Sequence, residues 1–181
     1  MMKFTPLSIP DVLLIQPVVH PDSRGFFYES YREDFFAKNG IHTRFVQDNC
    51  SRSAKGALRG LHYQIAPMVQ AKLVRVTAGR IFDVAVDLRK SSKTFGKYAA
   101  AVLDAEKKEM LYVPEGFAHG FCALEEGSEF HYKVSNFYSP ENERGIIWND
   151  PEIGIEWPKM DYILSGKDKN YPLLKQGVTF K

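Results

Sequence analysis

The chain has 181 residues, 44% of them hydrophobic and 25% charged, with a formal net charge of +2 at pH 7. Those values suit one globular domain spanning residues 1–181 with a core of its own. The near balance of charge and the scatter of basic residues argue against a nucleic-acid partner, although a few placed arginines would be enough for one diphosphate. No apolar stretch approaches the roughly 18 residues that a membrane helix needs. Pro6, Pro10 and Asp11 also interrupt the N-terminal segment early, so it does not read as a signal peptide. Cys50 and Cys122 are too few for a disulfide framework and have no zinc-site spacing. They read as buried or half-buried thiols in a reducing, cytoplasmic setting.

Short apolar or alternating runs follow one another between turn residues, at 12–15, 25–29, 45–49, 58–64, 72–78, 80–87, 99–103, 110–113, 120–123, 129–134 and 145–148. They are rich in Val, Ile, Phe and Tyr and bounded by Gly, Pro, Asn or Ser, which is the pattern of strands. One helix is expected between the second and third runs. Ser30 and Glu33 have capping-box spacing, Phe35 and Phe36 supply an apolar face, and Gly40 supplies a stop. In the tail, Ser165-Gly166-Lys167-Asp168 would open a short helix before Pro172. Such a density of strands predicts an all-β protein, a jelly-roll β-barrel with a few short peripheral helices.

Two glycine-flanked histidines stand out. The first is in Arg59-Gly60-Leu61-His62-Tyr63-Gln64, with Lys72 eight residues further on, and the second is in Pro114-Glu115-Gly116-Phe117-Ala118-His119-Gly120. Gly-x5-His followed by Pro-x-Gly-x-x-His resembles the two half-motifs of the cupin superfamily. Metal-binding cupins carry His-x-His and then Glu in the first half. Here Gln64 takes the place of the second His, and neither Met68 nor Val69 can replace the Glu, so the resemblance implies a cupin scaffold without its metal.

Strand period puts Lys72, Val74 and Val76 on one face and Leu73, Arg75 and Thr77 on the other. It likewise puts Asp83, Ala85 and Asp87 opposite Phe82, Val84, Val86 and Leu88. A mouth lined by His62, Lys72, Asp83 and His119 is sterically reasonable. His62 is either a general base or a strand histidine held for structure. Clustering Arg59 and Lys72 near it favours the base, because such a group of cations is costly unless an anion or a developing oxyanion is expected there. Lys72 is then an electrophile or a snorkelling lysine, and Arg59 a phosphate ligand or half of a surface salt bridge. Tyr132 shares a strand face with Phe130 and Val134 and reads as core packing; His131 alternates outward into solvent. In Asn136-Phe137-Tyr138-Ser139-Pro140, an exposed aromatic either stacks on a base or caps the barrel end.

The chain further resembles the dTDP-4-dehydrorhamnose 3,5-epimerases. The segments that carry the likeness are Ser23-Arg24-Gly25-Phe26-Phe27-Tyr28-Glu29, Gln47-Asp48-Asn49, the stretches around His62, Lys72 and His119, Tyr132-Lys133-Val134, Tyr138-Ser139-Pro140, Gly145-Ile146-Ile147-Trp148-Asn149-Asp150-Pro151 and Leu164-Ser165-Gly166-Lys167-Asp168. The resemblance implies roles. His62 would remove the protons beside the sugar ketone with Asp168 as its dyad partner, Tyr132 would reprotonate the opposite face, and Lys72 would hold the enolate oxygen. Arg59 and His119 would grip the sugar and diphosphate, with Asp83 behind His119, and Tyr138 would stack on thymine. Arg24, Phe27, Glu29, Gln47, Asp48, Asn49, Glu143 and Lys167 would complete the contacts to a dTDP-sugar. It also implies a homodimer, since part of the N-terminal segment reaches a neighbouring subunit in such enzymes, and chemistry with no cofactor and no metal. The other readings are a mono-epimerase acting at one carbon, a metal-dependent cupin oxygenase, and a non-catalytic carbohydrate-binding jelly roll.

Overall fold

A computed structural model describes residues 2–181. In chain order the elements are β1 (Lys3–Pro6), β2 (Leu13–Gln16), β3 (His20–Asp22), β4 (Gly25–Phe27), α1 (Glu33–Lys38), β5 (Gln47–Ser53), β6 (Leu58–Gln64) and β7 (Lys72–Ala78). There follow β8 (Arg80–Asp87), β9 (Tyr98–Asp104), β10 (Met110–Val113), β11 (Phe117–Ala123), β12 (Ser128–Val134), β13 (Glu143–Gly145) and a 3-10 turn at Leu174–Gln176. Two antiparallel sheets face each other. One has the order β1-β2-β10-β7-β12-β5 and the other β13-β6-β11-β8-β9, while β3 and β4 form a separate hairpin.

The expected β-barrel is not formed. Each sheet is open, ending in β1 and β5 or in β13 and β9, and among the described residues no strand pairing joins the two. Short alternating strands are common to barrels and sandwiches, and closure depends on stagger and edge pairing, which leave no mark in residue type. The open edges are blunted instead. β1 ends in Pro6, β13 is three residues long, and β5 carries Asp48 and Arg52 on its outward face.

The alternation assigned to β7 and β8 is observed. Val74, Val76, Ile81, Ala85, Leu111, Phe117, Phe121 and Phe130 meet between the sheets. Leu73 and Met110 point the other way, under Phe36 and Ile41 of the helical segment. Phe82, Val84, Val86 and Leu88 pack beneath Ile146, Ile153, Trp157 and Leu174 of the C-terminal tail. The five-stranded sheet is thus covered on both faces, which explains why almost every residue of β8 and β11 is buried.

Two expected helix features change. No side chain caps α1; Arg32 occupies the N-cap position and pairs instead with Asp34 and Glu29, so the Ser30–Glu33 box is unused. The stop at Gly40 does form. With φ +84° it lets its own N–H reach the Ala37 carbonyl while Ile41 N–H reaches that of Phe36, a Schellman closure. Residues 165–170 make only a turn, and the 3-10 turn comes after Pro172 rather than before it. Strands β1 and β3 were hidden by Pro6 and Pro21, residues that a sheet edge or a short ribbon tolerates. Cys50 is exposed rather than buried, and His131 is half-buried with Nε2 3.3 Å from Cys50 Sγ.

One irregularity in β6 fixes the geometry that follows. Against β11, His62 pairs with His119 but Arg59 pairs with Phe121, so β6 carries one residue more than its partner. Leu58, Leu61 and Tyr63 therefore all join the core beneath the tail. Arg59 and His62, which regular alternation would put on opposite faces, line the same cavity. Gly60 makes this possible at φ +133°, where a Cβ would stand 2.5 Å from the Gly120 Cα. Replacing Gly60 by Ala is expected to cost roughly 3 kcal/mol through overpacking and to move His62, measured as a lower midpoint in urea unfolding.

Candidate functional site

The open end of the sandwich holds a cleft between the sheets. One half is lined by Gln47, Asn49, Gln64, Gln70, Tyr138 and Glu143, the other by Ser51, Arg59, His119, Phe121, Phe130, Ser165, Lys167 and Asp168. His62, Lys72 and Tyr132 border both halves. His62 comes from β6 of the five-stranded sheet and Tyr132 from β12 of the six-stranded one, so they stand on opposite walls.

His62 Nε2 lies 2.5 Å from Asp168 Oδ1. A carboxylate only accepts, so Nε2 carries a proton, and in the neutral form of the ring Nδ1 is the lone-pair nitrogen. Asp168 is 3% exposed, and its second oxygen accepts from Ser165 Oγ at 2.7 Å. Burial alone would raise the carboxyl pKa, but the hydrogen bonds from His62 and Ser165 outweigh it, leaving the pKa below its ordinary value. Asp168 is therefore ionised and orients the imidazole.

His119 makes the second such pair, with Nε2 2.9 Å from Asp83 Oδ1, while its ring stacks on Phe130. Asp83 is fully buried, and its Oδ2 has no hydrogen-bond partner among the described residues. Burial lowers the His119 pKa despite the opposing pull of Asp83, so this imidazole is neutral at pH 7. Lys72 sits between the two pairs, its Nζ donating to the His62 carbonyl at 3.4 Å. Burial depresses its pKa to about 8, against the attraction of Asp83 and Glu143. Burial raises the pKa of Tyr132, which keeps its proton at neutral pH, with Arg59 acting weakly in the other direction. A base with a free nitrogen, a protonated phenol opposite and an ammonium between them can take a proton from one side of a substrate and return one to the other.

Of the residues singled out in the sequence, Arg59, His62, Lys72, His119, Tyr132, Tyr138, Gln47, Asn49, Glu143, Lys167 and Asp168 gather at this cleft. Glu143 binds both Tyr138 Oη, at 3.0 Å, and Lys167 Nζ. Asp83 lies behind His119. Four are elsewhere. Asp48 is on the outer face of β5 in an ion pair with Lys133, because it alternates with Gln47 and Asn49. Arg24, Phe27 and Glu29 lie on or beside the β3–β4 hairpin, where Arg24 pairs with Asp22 and Phe27 is 66% exposed. Sequence reasoning missed Ser165, although its Ser-x-x-Asp spacing from Asp168 is a readable signal. It also missed Tyr171, whose ring meets that of His62 edge-on at 5.5 Å, and the role of Gln64. Among the described residues no three His, Cys, Asp or Glu side chains converge as a metal site.

A cleft between two open sheets, with a paired imidazole on one wall and a protonated phenol on the other, has the groups that an isomerase working by proton transfer needs. The profile of the family described as dTDP-4-dehydrorhamnose 3,5-epimerase matches residues 6–176, and the chain belongs to that family. A dTDP-4-dehydrorhamnose 3,5-epimerase of Shigella flexneri is 55% identical over 170 residues, covering 93% of this chain and 94% of that one. A Legionella pneumophila dTDP-6-deoxy-D-glucose-3,5-epimerase, solved with dTDP-4-keto-L-rhamnose, superposes with a TM-score of 0.94 at 45% identity, covering 97% of this chain and 94% of that one. A 3'-monoepimerase of Streptomyces bikiniensis, solved with dTDP-quinovose, gives 0.87 at 36% identity over 94% and 87% of the two chains.

The Lys72 ammonium has a consequence for stability. Its folded pKa of about 8 lies below the ordinary 10.5, so between those values the unfolded chain binds more protons and stability rises with pH. Lys72→Met is expected to be more stable than the parent by roughly 2–3 kcal/mol at pH 7. Denaturant titrations across pH 7–10.5 are expected to show that advantage shrinking as the pH rises.

Proposed function

We propose that the protein epimerises dTDP-4-dehydro-6-deoxy-D-glucose at positions 3 and 5, giving dTDP-4-dehydro-L-rhamnose on the route to dTDP-L-rhamnose. The observation that carries this is the opposition of an Asp168-oriented His62 and a protonated Tyr132 across one cleft, with Lys72 between them. A hydrogen next to a ketone is acidic only because the resulting carbanion delocalises onto oxygen. His62 Nδ1 takes that hydrogen as a proton while the electron pair moves to the carbonyl oxygen, where the Lys72 ammonium stabilises the enolate. The Tyr132 hydroxyl then protonates the same carbon from the opposite wall, inverting it, and solvent returns the protons. Two such rounds, one on each side of the ketone, invert both carbons. Oriented acid and base groups are each worth on the order of 10²–10⁴-fold in rate.

Arg59 and His119 suit the sugar and diphosphate, and Gln47, Asn49, Tyr138, Glu143 and Lys167 suit the nucleotide end. Arg24, Phe27 and Glu29 lie away from this chain's own cleft, on a hairpin whose Phe26 and Phe27 rings are 56% and 66% exposed. That supports a homodimer in which each hairpin serves the neighbour's cleft. The same reading takes residues 1–181 as one catalytic domain acting in the cytoplasm, consistent with two unpaired cysteines and with no described helix long and apolar enough to cross a membrane.

The decisive experiment is incubation with the 4-keto sugar in heavy water, followed by NMR at ring positions 3 and 5. Deuterium at both positions is expected. Deuterium at one alone would mean a mono-epimerase, a reaction the shared fold also accommodates. Exchange at neither would refute the enzyme reading. His62→Ala is expected to abolish exchange at both carbons, and Tyr132→Phe to impair inversion more than exchange. For the dimer, mixing inactive His62→Ala with inactive Arg24→Ala subunits is expected to restore activity, since one mixed site carries neither change.

A further inference from the structure

Gln64 stands two residues after His62 on the same face of β6, is 3% exposed, and uses its whole amide on two neighbouring loops. Its Nε2 donates to the Met68 carbonyl at 2.6 Å and to the Phe137 carbonyl at 3.1 Å. Its Oε1 accepts the Ser139 N–H at 2.7 Å. Two carbonyls and one N–H can be satisfied together only in this orientation of the amide, so the assignment of its ends follows from its partners. Two more glutamines grip the same stretch: Gln47 Oε1 accepts the Tyr138 N–H at 3.1 Å, and Gln70 Nε2 donates to the Asn136 carbonyl at 2.7 Å. Every residue from Asn136 to Ser139 thus has a backbone group held by an amide side chain, while the Phe137 and Tyr138 rings remain 60% and 54% exposed.

We propose that Gln64 is a positioning residue for substrate affinity. Its amide locks the 136–139 loop so that the Tyr138 ring stands ready at the nucleotide end of the cleft. This inference rests on the reading of Tyr138 as a nucleotide contact. The physical reason for the arrangement is entropic: a loop with two exposed aromatics would sample many conformations, and fixing it before binding removes that ordering cost from the binding step. Chemistry occurs at the other residues bordering the cleft, so the lock acts on KM and leaves the proton transfers alone. A glutamine is suited to the position because it can donate twice and accept once. Glutamate offers no donor and sets a charge against two carbonyls.

The test is steady-state kinetics and calorimetric titration of dTDP with Gln64→Glu and Gln64→Met, the latter of similar length and neutral, each also in a Tyr138→Ala background. Both single variants are expected to raise KM and the dTDP dissociation constant about tenfold, as loss of buried hydrogen bonds implies. The kcat is expected to stay within about twofold of the parent. In the Tyr138→Ala background the Gln64 changes are expected to add little, since the group they position is gone. A fall in kcat with unchanged KM, or an equal penalty with and without Tyr138, would overturn the proposal. If Tyr138→Ala alone leaves KM and dTDP binding unaltered, it is the nucleotide-contact reading that fails. If Tyr138→Ala weakens binding but the Gln64 variants do not, the lock fails and that reading stands.

Discussion

Strand β6 crosses β11 where Gly60 and Gly120 come within a distance that admits no side chain on either. The extra residue absorbed there rotates the strand, and a sequence with odd spacing delivers Arg59 and His62 to one wall. Without it, His62 could face the cleft only if Arg59 turned toward the tail, into a core of Leu58, Leu61 and Ile146. Bulges commonly re-aim a side chain near a functional site, and this one sets both Arg59 and His62, the groups proposed to bind the anion and to take the proton. The C-terminal tail depends on the same feature. Asp168 is 106 residues from His62 in sequence and meets it because the residues flanking it, Ile146 to Trp157 and Leu174, are anchored on the apolar side of the rotated strand.

The cleft gathers charge that burial disfavours, and its solution is pairing by alternate residues. Each histidine has its own carboxylate, one from the tail and one from β8, and Lys72 stands between them. A desolvated ammonium is destabilising on its own, and its depressed pKa reflects that cost. The same desolvation suits it to its proposed role, because a charge held where water is scarce interacts strongly with a developing oxyanion. Stability surrendered at Lys72 is recovered from the packed faces of β8 and β11, which are covered on both sides.

Much of this was legible in the sequence because period and turn residues are local signals. The boundaries of β6, β7, β8 and β10 fall where alternation and glycine put them. What was not legible is non-local. Barrel closure depends on whether edge strands meet, and nothing in β1 or β13 announces that they do not. The place of Asp48 follows from alternation with Gln47 and Asn49, yet a motif read as a block conceals it. Pairing of Arg59 with His62 in one cavity contradicts simple strand period, and only the Gly60–Gly120 crossing resolves it. Gln64 was read for the ligand it replaces, since its actual partners are main-chain groups up to 75 residues away.

The two open edges nearest the cleft now acquire different meanings. β13 is short, pairs with β6 through Gly145, and is closed off by Tyr171, whose ring leaves no room for a Cβ at that glycine. That edge is finished within the chain, and its closure brings Tyr171 against His62. β5, by contrast, leaves one side of Gln47, Asn49 and Ser51 unpaired beside the cleft, with no covering segment among the described residues. An edge strand with polar inner residues and charged outer ones resists indiscriminate association while keeping main-chain groups available. The β3–β4 hairpin, with its exposed Phe26 and Phe27, differs in character, being apolar where β5 is polar. A closed barrel would have paired that edge and walled off the cleft beside it, whereas the open sheets leave the cleft and the edge of β5 accessible.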